Sequence, residues 1–240
     1  MSPLSGVLGE SWQLYRTYAR HLLTIAFIVF IIAAVLSAGL ALVGGILGAL
    51  LSWLVTLIAE FLLTAALVKA VQDVRDGRVD LSVEQTFSAA LPLIGPVAVA
   101  AVLAGIAITI GLAIFIIPGL FLLTIWCLIM PAIVVTGTDP LASFGRSWQL
   151  VREHFWNVFG ILLTVFVIWL AVNLVLGVVF SLLPYFLAHF LSSVIANTLI
   201  APFIAVVTTL MYFRLSAGVG TSAPSGPDGG SGTYGSQGPY

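Results

Sequence analysis

Apolar residues fill six long stretches of the chain, at roughly 22–43, 46–70, 93–116, 120–136, 158–183 and 187–213. At about 1.5 Å of rise per residue, each can cross a hydrocarbon core of about 30 Å, with tilt where needed. The breaks inside successive pairs are short: Gly44 and Gly45, then Pro118 and Gly119, then Pro184 and Tyr185. Pro118 and Gly119 suit the central positions of a type II turn. The pattern predicts an all-α polytopic membrane protein, with six transmembrane helices arranged as three tight hairpins.

Three shorter segments carry a different pattern. Over 3–22, Leu4, Val7, Leu8, Ser11, Trp12, Tyr15, Ala19 and Leu22 share one helical face. Glu10, Gln13, Arg16, Thr17 and Arg20 take the other, with Leu14 the exception. Over 140–159, Leu141, Phe144, Trp148, Val151, Phe155 and Val158 recur at steps of three and four, a helical period. Over 82–94 the stripe is Val83, Phe87, Ala90, Leu91 and Ile94. Each segment has a start signal. Ser2 and Pro3, and Asp139 and Pro140, offer a cap and a first-turn proline, while Ser82 and Gln85 fit a capping box.

Two of these segments spell nearly the same phrase, GESWQLYR at 9–16 and GRSWQLVR at 145–152. Each of the three precedes a hairpin, so the predicted unit is an amphipathic helix followed by a helical hairpin. It is used three times, at about 3–71, 82–136 and 140–215, within a membrane domain spanning 1–216. Such a helix lies in the membrane interface, with indole at headgroup level and arginine toward anionic phosphate. Trp12, Arg16, Arg20, Trp148, Arg146 and Arg152 are therefore the candidate lipid contacts. They either anchor the hairpins or form a collar that binds anionic headgroups or a protein partner.

Charge sets the expected orientation. All eight Lys and Arg lie at the open ends of the hairpins and none at the tight turns. By the positive-inside rule the open ends and both termini are cytoplasmic. Composition agrees with the membrane reading, since only 7% of residues are charged, against about a quarter in soluble domains. The net charge of −1 gives no reason to expect a nucleic-acid partner. The first apolar run is too long for a signal-peptide core, so no cleavable leader is expected. Residues 217–240, rich in Gly, Ser and Pro, predict a disordered cytoplasmic tail.

Residues 116–160, IIPGLFLLTIWCLIMPAIVVTGTDPLASFGRSWQLVREHFWNVFG, resemble a large group of prokaryotic six-span proteins. That group is related to the membrane domain fused to some glycerophosphodiester phosphodiesterases. The shared features are Pro118 and Gly119, an apolar span ending near Pro131, and the helix from Ser143 to Trp156. LVKAVQDVRDGRVDLSVEQTF at 67–87 resembles the group's first cytoplasmic loop. The resemblance implies the fold and a prokaryotic inner-membrane location. It implies no phosphodiesterase activity here, because the hydrolase would be a separate domain.

Chemistry is sparse. His21, His154 and His189 show no metal-ligand or catalytic spacing, Cys127 stands alone, and no Gly-rich phosphate loop occurs. No cofactor or metal is expected. Glu60 stands out, because an acid inside a span is costly and marks a functional candidate by default. Asn173 and Asn197 are the other strongly polar intramembrane residues. Pro202 leaves the Thr198 carbonyl without its helical donor, and a neutral Glu60 at similar depth is expected to donate to it. The leading expectation is a non-enzymatic inner-membrane protein for scaffolding or lipid handling. The alternative is a small transporter or channel with Glu60 as the coupling acid.

Overall fold

The computed structural model describes residues 3–42, 44–75 and 80–220. Among these the fold is all-helical: α1 (Val7–Thr17), α2 (Ala19–Ala41), α3 (Gly45–Val74), α4 (Val83–Ala90), α5 (Ile94–Ile114), α6 (Ile116–Ile125), α7 (Ile129–Thr136), α8 (Pro140–Val151), α9 (Phe155–Val179) and α10 (Tyr185–Gly220). Among the described residues, six helical segments are long and apolar enough to cross a membrane: Ala19–Leu40, Gly45–Val74, Val83–Ile114, Ile116–Thr136, Pro140–Val179 and Phe190–Ala217. This is a multi-pass membrane architecture.

Local chemistry sets the boundaries. Gly44 and Gly45 both have positive φ, 73° and 64°, where a side chain would be strained. They reverse the chain between α2 and α3. The capping box is formed: the Ser82 hydroxyl accepts from the Gln85 amide, and the Gln85 side chain accepts from the Ser82 amide. Asp139 caps α8 by accepting from the Leu141 amide at 3.1 Å.

Three expectations are corrected. The reversal between α5 and α6 occurs at Phe115, in extended conformation, and Pro118 and Gly119 lie inside α6. Pro118 is tolerated there because a first-turn residue needs no intrahelical donor. Gly119 instead lets α6 press against α5, since a Cβ there would stand 2.6 Å from the Leu112 amide nitrogen. Helix α1 begins at Val7 rather than near Pro3, because Gly6 precedes it in a left-handed conformation (φ 79°). Ser2 lies outside the described residues. Helix α10 runs through 217–220, into the stretch expected to be tail; 221–240, like Arg78, lie outside the described residues.

The core is concentrated at one end of the long helices. On α3, Leu63, Ala65, Ala66, Leu67, Val68, Ala70 and Val71 are buried, while Ile46, Leu47, Leu50, Trp53 and Ile58 are exposed. The buried stretch is the half toward Lys69 and Arg75. On α10 it is Phe203 to Leu215, and on α2 it is Leu22 to Phe30. Alanines on α3 allow close approach, the packing solution expected where lipid removes the hydrophobic drive between helices. Toward the tips the helices separate and leave clefts.

Candidate functional site

Glu60 sits half-way along α3, at the border between these two halves. Ser52, Thr56 and Glu60 follow one another at steps of four and so share a face. The Ser52 hydroxyl donates to the Ser37 carbonyl of α2 at 3.0 Å, and the Ser37 hydroxyl lies 3.3 Å from that of Thr56. Thr56 also donates to the Ser52 carbonyl at 3.0 Å. A ladder of hydroxyls thus joins α2 to α3 and ends one turn below Glu60.

Above it opens a cleft of about 460 Å³ between α2, α3 and α10. Its polar lining is Ser37, Thr56, Glu60, Ser193 and Asn197, and its apolar lining includes Phe30 and Phe190. Two of the three intramembrane candidates, Glu60 and Asn197, are therefore brought together. Glu60 is exposed to the cleft and Asn197 is half-buried. The third, Asn173, donates to the Trp169 carbonyl of its own helix at 2.8 Å and lies on α9, away from the cleft.

The expected bond from Glu60 to the carbonyl freed by Pro202 is not made. Among the described residues the Glu60 carboxyl has no hydrogen-bond partner, while its backbone carbonyl accepts from the Thr64 hydroxyl at 2.8 Å. The reason is geometric: α3 and α10 pack tightly only beyond Glu60, so its side chain points into the gap. The polar help near Pro202 comes from α1, where the Tyr15 hydroxyl donates to the Leu199 carbonyl at 3.0 Å. Burial raises the Tyr15 pKa above its ordinary value, so the phenol remains a donor.

The interfacial candidates sit at two places. Trp12 is 55% exposed and meets Tyr15 and Phe203, while Trp148 is 42% exposed and meets Phe121. Arg16, Arg20 and Arg152 are exposed and Arg146 is half-buried. Arg152 pairs with the adjacent Glu153 at 3.7 Å, a surface contact of little energetic weight. The motif's serines are buried. Ser147 donates to the Ile125 carbonyl at 2.6 Å and accepts from the Leu128 amide at 3.3 Å, closing the break between α6 and α7. Ser11 is equally buried, but its hydroxyl has no partner. Arg214 at the far end of α10 binds the Glu10 carboxylate and the Ser5 carbonyl, clasping α1 to α10.

A spaced sequence signal also marks the site. LIAEFL at 57–62, LIMPAI at 128–133 and LIAPFI at 199–204 are equally spaced along the chain. Glu60 occupies the place held by Pro131 and Pro202. Among the described residues, no cluster of three His, Cys, Asp or Glu side chains is arranged to hold a metal.

A family model described as a domain of unknown function (DUF7847) matches residues 10–215. No curated protein and no solved structure matches.

Proposed function

This chain belongs to the DUF7847 family, and on that footing we propose that it is a non-enzymatic membrane protein that handles lipid or a lipid-like amphiphile at the Glu60 cleft. One observation carries the reading: Glu60 and Asn197, with no side-chain partners among the described residues, line the same open cleft half-way along the spans. Unpaired polar groups at such depth are costly. A ligand with a hydroxyl or amine can satisfy both, with its apolar part against Phe30 and Phe190. In this reading the chain is a prokaryotic inner-membrane protein with both termini cytoplasmic. It is built from three copies of an amphipathic helix and a hairpin, and is related to the glycerophosphodiester phosphodiesterase membrane domain without sharing that chemistry. The collar helices touch anionic lipid and offer a face to a protein partner.

Native mass spectrometry from lipid nanodiscs tests the proposal. Wild type should retain a small amphiphile that Glu60→Leu and Asn197→Leu release. Identical retained ligands in all three would overturn it. Because Glu60 makes no protein hydrogen bond, Glu60→Leu should unfold in detergent at the wild-type temperature or higher. A loss of roughly 1 kcal/mol would instead reveal an interhelical bond. The open acid also favours a second reading, in which Glu60 couples proton or ion movement. Glu60→Gln would then keep stability and ligand yet abolish flux in proteoliposomes.

A further inference from the structure

A second polar cavity, about 420 Å³, lies where the α1–α2 joint meets the start of α4. It is lined by Thr17, Tyr18, Arg20, His21, Thr24 and Val83, with no carboxylate among them. The cavity adjoins the first turn of α2, a helix of 23 residues whose N-cap, Tyr18, makes no side-chain cap bond and whose first turn holds no acid. Amides of that turn lack intrahelical acceptors and carry the positive end of the helix dipole. A guanidinium and an uncapped helix start therefore border one space, and both favour an anion.

Thr24, whose hydroxyl is already donated to the Arg20 carbonyl at 2.6 Å, also lines a neighbouring cleft of about 330 Å³ between α2 and α10. That cleft is walled by Leu23, Phe27, Ile195 and Leu199. Through Thr24, a cationic pocket at the charged end of the bundle thus borders an apolar groove running along a span. From this juxtaposition we infer a binding site for one anionic phospholipid, its phosphate beside Arg20 and His21 and an acyl chain in the α2–α10 groove. A free phosphate would use only the first half. The site is separate from the Glu60 cleft and stands without it.

The full chain in neutral detergent, titrated with dioleoyl phosphatidylglycerol or phosphatidylcholine and read by native mass spectrometry, tests this. Wild type should retain one phosphatidylglycerol in preference to phosphatidylcholine. Arg20→Gln, at an exposed position that leaves packing intact, should weaken that retention about fivefold. Thr17→Val should weaken it in the same direction. Arg152→Gln, an exposed cation on another segment, should leave it unchanged. Phe27→Ala should weaken binding of the dioleoyl lipid but not of a dihexanoyl analogue. Equal losses in Arg20→Gln and Arg152→Gln would mean diffuse surface charge and overturn the site. So would wild-type retention in Arg20→Gln, or displacement of the lipid by inorganic phosphate as readily as by more phosphatidylglycerol.

Discussion

Ser11 and Ser147 hold the same place in the repeated phrase and are both fully buried, yet they stand in opposite situations. Ser147 bonds both sides of the break at Trp126–Leu128, where a carbonyl and an amide would otherwise have no partner. Ser147→Ala should therefore destabilise by about 1–3 kcal/mol, the cost of leaving buried backbone groups unsatisfied. Ser11→Ala removes an unpaired buried hydroxyl and should be neutral or stabilising. Thermal unfolding of the two variants in one detergent checks the pair, and equal losses would contradict it. The sequence gives little hint of this difference. A serine on an apolar face reads as a small spacer, and its worth depends on a backbone break in another segment. Glu60 was legible because a carboxylate in an apolar run has no cheap explanation. Its surroundings were not, since depth along two helices does not say which way either side chain turns.

Among the elements, two joints between a short helix and the following span share one backbone turn. The chain turns at Tyr18 (φ −106°, ψ 18°) and at His154 (φ −121°, ψ 21°), each six residues after the motif's tryptophan. The α4–α5 joint passes through a 3-10 turn at Leu91–Leu93, as the α8–α9 joint does at Arg152–His154. Equivalent joints should hold Trp12 and Trp148 at similar depth in the headgroup region. Variants keeping one of these two tryptophans, with the chain's other five replaced by phenylalanine, can be probed by brominated lipids. Strong quenching of one indole by deep labels and none of the other would refute the equivalence. Periodicity and caps made these short helices readable, because Ser82 and Asp139 act locally. The hairpin at Phe115 was not readable. Pro118 and Gly119 look the same as a turn or as a helix start packed closely on its neighbour, and only the approach of Leu112 distinguishes them.

At the scale of the whole molecule, packing and charge are polarised together. The buried core gathers around Leu63–Val74, Leu22–Phe30 and Phe203–Leu215, the same end that carries Arg16, Arg20, Lys69, Arg75 and Arg214. The opposite end exposes Leu42, Ile46, Phe115, Ile116, Ile117 and Leu182. Two independent features thus mark one end of the bundle. Lysine and arginine near span ends are retained on the cytoplasmic side, and a tip of apolar residues without charge crosses at least cost. These tips should therefore face outward, and with an odd number of spans before each tip both termini should be cytoplasmic. Alkaline phosphatase inserted at Gly44, Phe115 or Pro184 should be active, and inserted at Asp80 or Asp139 should be silent. The Asp139 site is the most informative, because the two segments before it, α6 and α7, are individually too short to span about 30 Å and cross only as a broken pair. Activity at Asp139 with silence at Pro184 would mean that the broken pair does not cross, leaving five spans and placing the two termini on opposite sides.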